Sequence, residues 1–159
     1  MEKREAIKVD TLAPDFTLED QNGRKFKLSD FKGKKVLLSF HPLAWTPVCS
    51  KQMKSLDDAK EQLDEVDTVA VGISVDSVPS KNAWAKDLGL QHTRLLSDFW
   101  PHGDVSQTYG LFYENDGFSM RANVIIDDHQ KVVWVKKYPT WQVPNIHEVL
   151  KALEDLKNK

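Results

Sequence analysis

The sequence predicts an α/β fold built on a mixed central β-sheet, and three observations carry that expectation. Residues 36–40, 69–75 and 124–126 are apolar runs rich in β-branched residues and too short to be buried helices, the pattern of central strands covered on both faces. Between and after them run stripes at helical spacing: Cys49, Met53, Leu56 and Leu63 form one, and Ile146, Val149, Leu150, Leu153 and Leu156 form another. Near the start, alternating apolar residues flank Asn22-Gly23, a dipeptide that accepts the positive dihedrals of a tight hairpin turn.

In chain order, "PDFTLEDQNGRKFKL" is the hairpin and 36–40 the first central strand. One amphipathic helix carries the stripe from Cys49 to Leu63. Strand 69–75 precedes a helix with Ser80 as its cap, Trp84 and Leu88 on its face and Gly89 as its stop. Asp104 with Gln107 resembles a capping pair opening a short helix through Tyr109. "DDHQK" is the turn of a second hairpin that ends in strand 132–135, and the Ile146 stripe forms the last helix. Three strands buried on both faces imply helices on both sides of the sheet.

A chain of 159 residues, 40% hydrophobic and 29% charged, suits one domain with one core, spanning 1–159. Its 22 basic and 24 acidic residues are mixed along the length, so no basic patch suggests nucleic acid or a membrane surface as a partner. The opening "MEKREAIKVD" is charged where a signal peptide is apolar, and no apolar run approaches the roughly 20 residues of a membrane span, so a cytoplasmic location is expected. The single cysteine excludes an internal disulfide and a zinc-ribbon site. His92, His102, His129 and His147 lack the spacing of a shared metal site, and the glycines form no phosphate cradle; no metal or cofactor is implied.

Cys49 stands where strand 36–40 and a loop with Pro42 and Pro47 give way to the first turn of a helix. Free amides and the partial positive charge there favour a thiolate. An unperturbed thiol, with a pKa of ~8.5, is only about 3% ionised at pH 7, so such an environment changes reactivity greatly. Its place on the stripe with Met53 and Leu56 equally suits a buried core cysteine.

The neighbours favour chemistry. Pro42, Thr46 and Cys49 form P-x-x-x-T-x-x-C after a buried strand, and this spacing resembles the active-site signature of the peroxiredoxins, thiol peroxidases of the thioredoxin superfamily. The resemblance runs in order through "APDFTLED", "KVLLSF", the signature, "LLSDFWPHGDVSQTYGLF" and "RANVIID". In "LAWTPVC" and "LLSDFWPHG" it is closest to the one-cysteine alkyl hydroperoxide reductase E subgroup. It implies a thioredoxin-like fold with an N-terminal β-hairpin, and an enzyme that reduces hydrogen peroxide and organic hydroperoxides.

Each site residue then has an expected role. Cys49 is the attacking thiolate. The Thr46 hydroxyl can hydrogen-bond the sulfur or the peroxide, or act as an ordinary N-cap. By resemblance, Arg121 brings a fixed positive charge to the thiolate and to the developing oxyanion. Pro42 shields the sulfur and offers no donor of its own. Relatives with a resolving cysteine five residues on would place it at Lys54, so the Cys49 sulfenic acid must be recycled by an external thiol, either a small molecule or a thioredoxin- or glutaredoxin-like protein.

Two departures from the family pattern stand beside Cys49. Gln52 replaces a frequent glutamate, and His41 replaces a frequent aromatic. His41 is either a proton source for the leaving alkoxide or a packed, backbone-bonded imidazole. Phe99, Trp100 and Pro101 either cover the core or meet a second subunit; the resemblance implies a homodimer in which they and the Trp45 loop contribute. A peroxide sensor that passes its oxidation to a partner protein, or a non-catalytic thioredoxin-fold module, would use the same scaffold.

Overall fold

The alternating segment around Asn22-Gly23 folds into two short antiparallel strands, β1 (Thr17–Glu19) and β2 (Lys25–Lys27). The turn is wider than the dipeptide predicts. Gly23 has a φ of 74°, Asn22 keeps a negative φ, and the Asp20 carboxylate accepts the amides of Asn22 and Arg24 to close the loop. This computed structural model describes residues 5–158; the first four residues of the charged opening segment and Lys159 lie outside the described residues.

After a 3-10 turn at Leu28–Phe31 come β3 (Lys35–Phe40), α1 (Pro47–Asp58), α2 (Lys60–Glu65), β4 (Thr68–Ser74), α3 (Val78–Leu88), β5 (Arg94–Ser97) and α4 (Asp104–Thr108). The small pair β6 (Phe112–Tyr113) and β7 (Phe118–Ser119) precedes β8 (Arg121–Ile126), β9 (Val132–Tyr138) and α5 (Ile146–Lys157). A seven-stranded mixed sheet has the order β2-β1-β5-β4-β3-β8-β9, with β3, β4 and β5 parallel and β8 antiparallel to β3.

Alternation along β3 feeds two cores. Val36, Leu38 and Phe40 join Phe26, Tyr109 and Leu111 on one face, while Leu37 meets Met53, Trp84 and Leu153 on the other. Each fully buried side chain of this kind contributes about 1.5–3 kcal/mol relative to exposure. Helices cover the sheet unequally: α1, α2, α3 and α5 pack on the Leu37 face, and the other receives α4, the 3-10 turn and the N-terminal segment, which is tied in by the Ile7 amide donating to the Tyr109 carbonyl.

Three local expectations change, and one strand goes unread. The stripe from Cys49 to Leu63 is split at Ala59, where α1 ends and α2 begins, although Leu63 still reaches the core. The next helix starts at Val78 under Ser77, because Pro79 has no N–H to give and fits only the first turn; Gly89 ends it at φ 68° as expected. Asp104 and Gln107 do not cap α4. Its first amides, Val105 and Ser106, donate instead to the buried Asp98 carboxylate. Strand β5, Arg94–Ser97, has no β-branched residue to mark it as a strand.

Candidate active site

The chain leaves β3 at Phe40 and turns through residues 41–46 into α1. Trp45 sits in the left-handed region at φ 72°, uncommon for a bulky side chain and costly enough to need outside support. That support comes from its indole N–H, which donates to Ser80 Oγ at 3.1 Å, and from the Ala44 amide, which donates to Asp76 Oδ2 at 2.8 Å. Pro47 fills the first helical position, where its missing N–H is no loss. The Thr46 hydroxyl donates to the Leu43 carbonyl at 2.8 Å and makes no capping bond, so the first amides of α1 are left to whatever occupies the site.

Cys49 lies in that first turn with 0% exposure. Because β3 and β8 are antiparallel neighbours, with Phe40 opposite Ala122, the start of β8 lies beside the end of β3 and brings Arg121 under α1. Arg121 Nη1 is 3.3 Å from Cys49 Sγ and 2.7 Å from Gln52 Oε1. Its Nε and Nη2 both donate to the Thr140 carbonyl, at 3.2 and 2.7 Å, which fixes the plane of the guanidinium. Gln52 completes the frame: its Nε2 donates to Ser39 Oγ at 2.7 Å and to the Phe40 carbonyl at 3.2 Å.

The structure therefore brings Cys49 and Arg121 together and buries Pro42 in the turn before them. Thr46 is at the helix start, but its hydroxyl hydrogen is directed to Leu43 and away from the sulfur; its oxygen is left as an acceptor. Gln52 is a full member of the frame. His41 Nδ1 lies 3.3 Å from the Ser39 carbonyl, which can only accept, so Nδ1 carries the hydrogen and Nε2 the lone pair. Burial, and next to it the charge of Lys81, hold His41 well below the usual histidine range. It is the packed, backbone-bonded imidazole of the two readings.

Sequence reasoning missed Lys81. Its Nζ is 3.4 Å from His41 Nε2 and its side chain is 0% exposed. The signal was present: Lys81, Trp84, Ala85 and Leu88 follow the i, i+3, i+4, i+7 spacing of a buried helix face, and a charge on such a face is informative. Trp84 was placed on that face but not beside the nucleophile, where its indole donates to Ser50 Oγ at 3.2 Å and its ring lies 5.5 Å from that of His41. Among the described residues no group of three His, Cys, Asp or Glu could hold a metal.

A lone sulfur in a helix first turn, facing an arginine across the end of a thioredoxin-like sheet, defines a thiol-based oxidoreductase. The AhpC/TSA family model matches residues 9–135, and the chain belongs to that family, the peroxiredoxins, as a one-cysteine enzyme. It is 43% identical over 122 residues to alkyl hydroperoxide reductase E of Mycobacterium tuberculosis, covering 76% of this chain and 79% of that one. It is 34% identical over 149 residues to peroxiredoxin 2 of Picrophilus torridus, covering 91% and 73%. Among solved structures, a reduced Plasmodium vivax 2-Cys peroxiredoxin superposes with a TM-score of 0.86 at 29% identity, covering 94% of this chain and 82% of its own.

Proposed function

We propose that this peroxiredoxin reduces hydrogen peroxide and organic hydroperoxides at Cys49, and that an external thiol recycles it. The observation that carries the reading is Cys49 Sγ at an uncapped helix start, 3.3 Å from Arg121 Nη1. The thiolate attacks one peroxide oxygen; the S–O bond forms as the O–O bond breaks, and the leaving oxygen departs as water or alcohol after taking a proton. Arg121 and the first amides of α1 stabilise the negative charge as it moves off sulfur. The Thr46 oxygen accepts the peroxide O–H and orients it, and Pro42 closes the sulfur off from water. A first external thiol then attacks the sulfenic sulfur and releases water, and a second displaces Cys49 from the mixed disulfide.

No helix among the described residues is long and apolar enough to cross a membrane. Phe99, Trp100 and Trp45 are 52%, 82% and 51% exposed, so they do not cover the core and are available to a second copy of the chain in a homodimer. Light scattering that finds a monomer at micromolar concentration would remove the dimer.

Intact-protein mass spectrometry tests the chemistry. One equivalent of peroxide should add a single oxygen to wild type and none to Cys49→Ser. Excess peroxide without thiol should carry Cys49 to the sulfinic acid with loss of activity, and added thiol should yield a mixed disulfide and turnover. A serine variant that consumes peroxide at the wild-type rate would return Cys49 to the core-cysteine reading.

A further inference from the structure

Helix α3 reaches the segment that carries Thr46 and Cys49 at two points, and the two bonds run in opposite directions. The Trp45 indole N–H of the loop donates to Ser80 Oγ of α3 at 3.1 Å, and the Trp84 indole N–H of α3 donates to Ser50 Oγ of α1 at 3.2 Å. Ser80 and Trp84 are four residues apart on one face of α3, while Trp45 and Ser50 bracket Thr46 and Cys49. Ser50 passes the contact on. Its hydroxyl donates to the Thr46 carbonyl at 2.8 Å, so its hydrogen and a lone pair are both engaged. The Asn82 amide in turn ties α3 to the N-terminal hairpin by donating to the Gln21 carbonyl at 3.0 Å.

A helix start ordinarily carries its own cap. The start of α1 does not: the Thr46 hydroxyl is directed to the Leu43 carbonyl, and Trp45 before it holds the left-handed φ of 72°, so the shape of the turn has to be held from outside. We propose that Ser80 and Trp84 are positioning residues for the peroxidase reaction: one turn of α3 grips both ends of the uncapped helix start through two opposed indole–serine hydrogen bonds and keeps Thr46 and Cys49 in place against Arg121. This role rests on Cys49 being the peroxide-reactive sulfur. The two grips differ in their surroundings. Trp84 is buried, so its N–H has no water to turn to if Ser50 is lost, whereas Trp45 is half exposed and its indole is hydrated when it leaves Ser80. The inner grip fixes Ser50, and the outer one keeps Trp45 in its strained conformation.

The test is a double-mutant cycle on the outer grip, where neither change leaves a buried group unpaired. In stopped flow, Ser80→Ala and Trp45→Phe should each slow oxidation of Cys49 by peroxide about fivefold, within the range for loss of one hydrogen bond, and the double variant should be no slower than the slower single. Melting temperatures should stay within about 2 °C of wild type, which separates positioning from a loss of fold. Ser80→Thr returns a hydroxyl and should return the rate. Losses that add in the double variant, or a wild-type rate in Ser80→Ala, overturn the proposal. Ser50→Ala examines the inner grip: it strands the buried Trp84 N–H, so the protein should melt lower and react more slowly with peroxide. A wild-type rate in folded Ser50→Ala would overturn the proposal from that side. Peroxide consumption by Cys49→Ser would instead overturn the reading of Cys49 beneath it.

Discussion

Gln52 Oε1 accepts a 2.7 Å hydrogen bond from the same Arg121 nitrogen that faces Cys49 Sγ. The two N–H groups of Nη1 thus serve a neutral amide and the sulfur, while the rest of the guanidinium is tied to the Thr140 carbonyl. A glutamate at 52 would pair more strongly with Arg121 but would aim a carboxylate oxygen at the Phe40 carbonyl, where Gln52 has a donor.

Arg121→Lys should separate charge from geometry. Lysine keeps the positive charge but lacks the planar fork that holds Thr140, Gln52 and the sulfur together. Cys49 should still ionise, while the second-order rate with peroxide falls about 100-fold, as for loss of one aligned donor to a developing anion. Stopped-flow oxidation beside a thiolate titration measures both, and a wild-type rate would place Arg121 outside the chemistry.

Protein stability should decline below pH 6.5 because of His41. The native state keeps this ring neutral, while in the unfolded chain it protonates around its ordinary value of 6.5. The unfolded state binds more protons there, so the full stability is present above 6.5 and is lost as pH falls toward the native value, by up to about 1.4 kcal/mol per pH unit. His41→Phe should flatten this slope in urea melts between pH 5 and 7, even though removing the acceptor of Lys81 lowers stability at every pH. An unchanged slope would assign the pH dependence to other groups.

Gly72 lies beneath α1 in β4. A Cβ there would come 2.4 Å from Met53 Sδ, 3.1 Å from His41 Cε1 and 3.2 Å from Leu95 Cδ2. Met53 is fully buried, so the thioether has little room to yield. Gly72→Ala should cost about 1–3 kcal/mol, the usual range for overpacking, and should slow peroxide reduction because Met53 is one turn from Cys49 on α1. Thermal melts with a peroxide assay would show both effects; a stability equal to wild type would mean that α1 can lift without loss.

Tryptophan emission should follow oxidation of Cys49, with Trp84 as the main reporter. Sequence distance favours Trp45, but that indole is half exposed and bonded to Ser80, whereas Trp84 is buried and bonded to Ser50, the residue after Cys49. Trp84→Phe should remove most of the change and Trp45→Phe should retain it. The reverse result would place the reporter in the loop.

Central strands were legible because apolar β-branched runs admit few other structures, and the last helix because its stripe is regular. The break at Ala59 was not: no glycine or proline marks it, and the chain bends there while still burying Leu63. Cys49 and Arg121 lie 72 residues apart, so only family resemblance could pair them before the β3–β8 register did. Lys81 escaped because hydropathy assigns lysine to solvent, a rule that fails where a buried acceptor such as His41 Nε2 receives it.

The complete burial of Cys49 separates the two halves of the catalytic cycle by size. A peroxide of a few atoms needs only a small opening at the uncapped end of α1 to reach the sulfur, whereas a reducing thiol on a larger molecule needs the whole first turn to open. Oxidation is then governed by the field around the sulfur, and recycling by how often Pro47 to Ser50 come away from the sheet. The same packing that protects the thiolate makes the reductant wait, so solvent viscosity and partner size should weigh on the second half-reaction and hardly on the first.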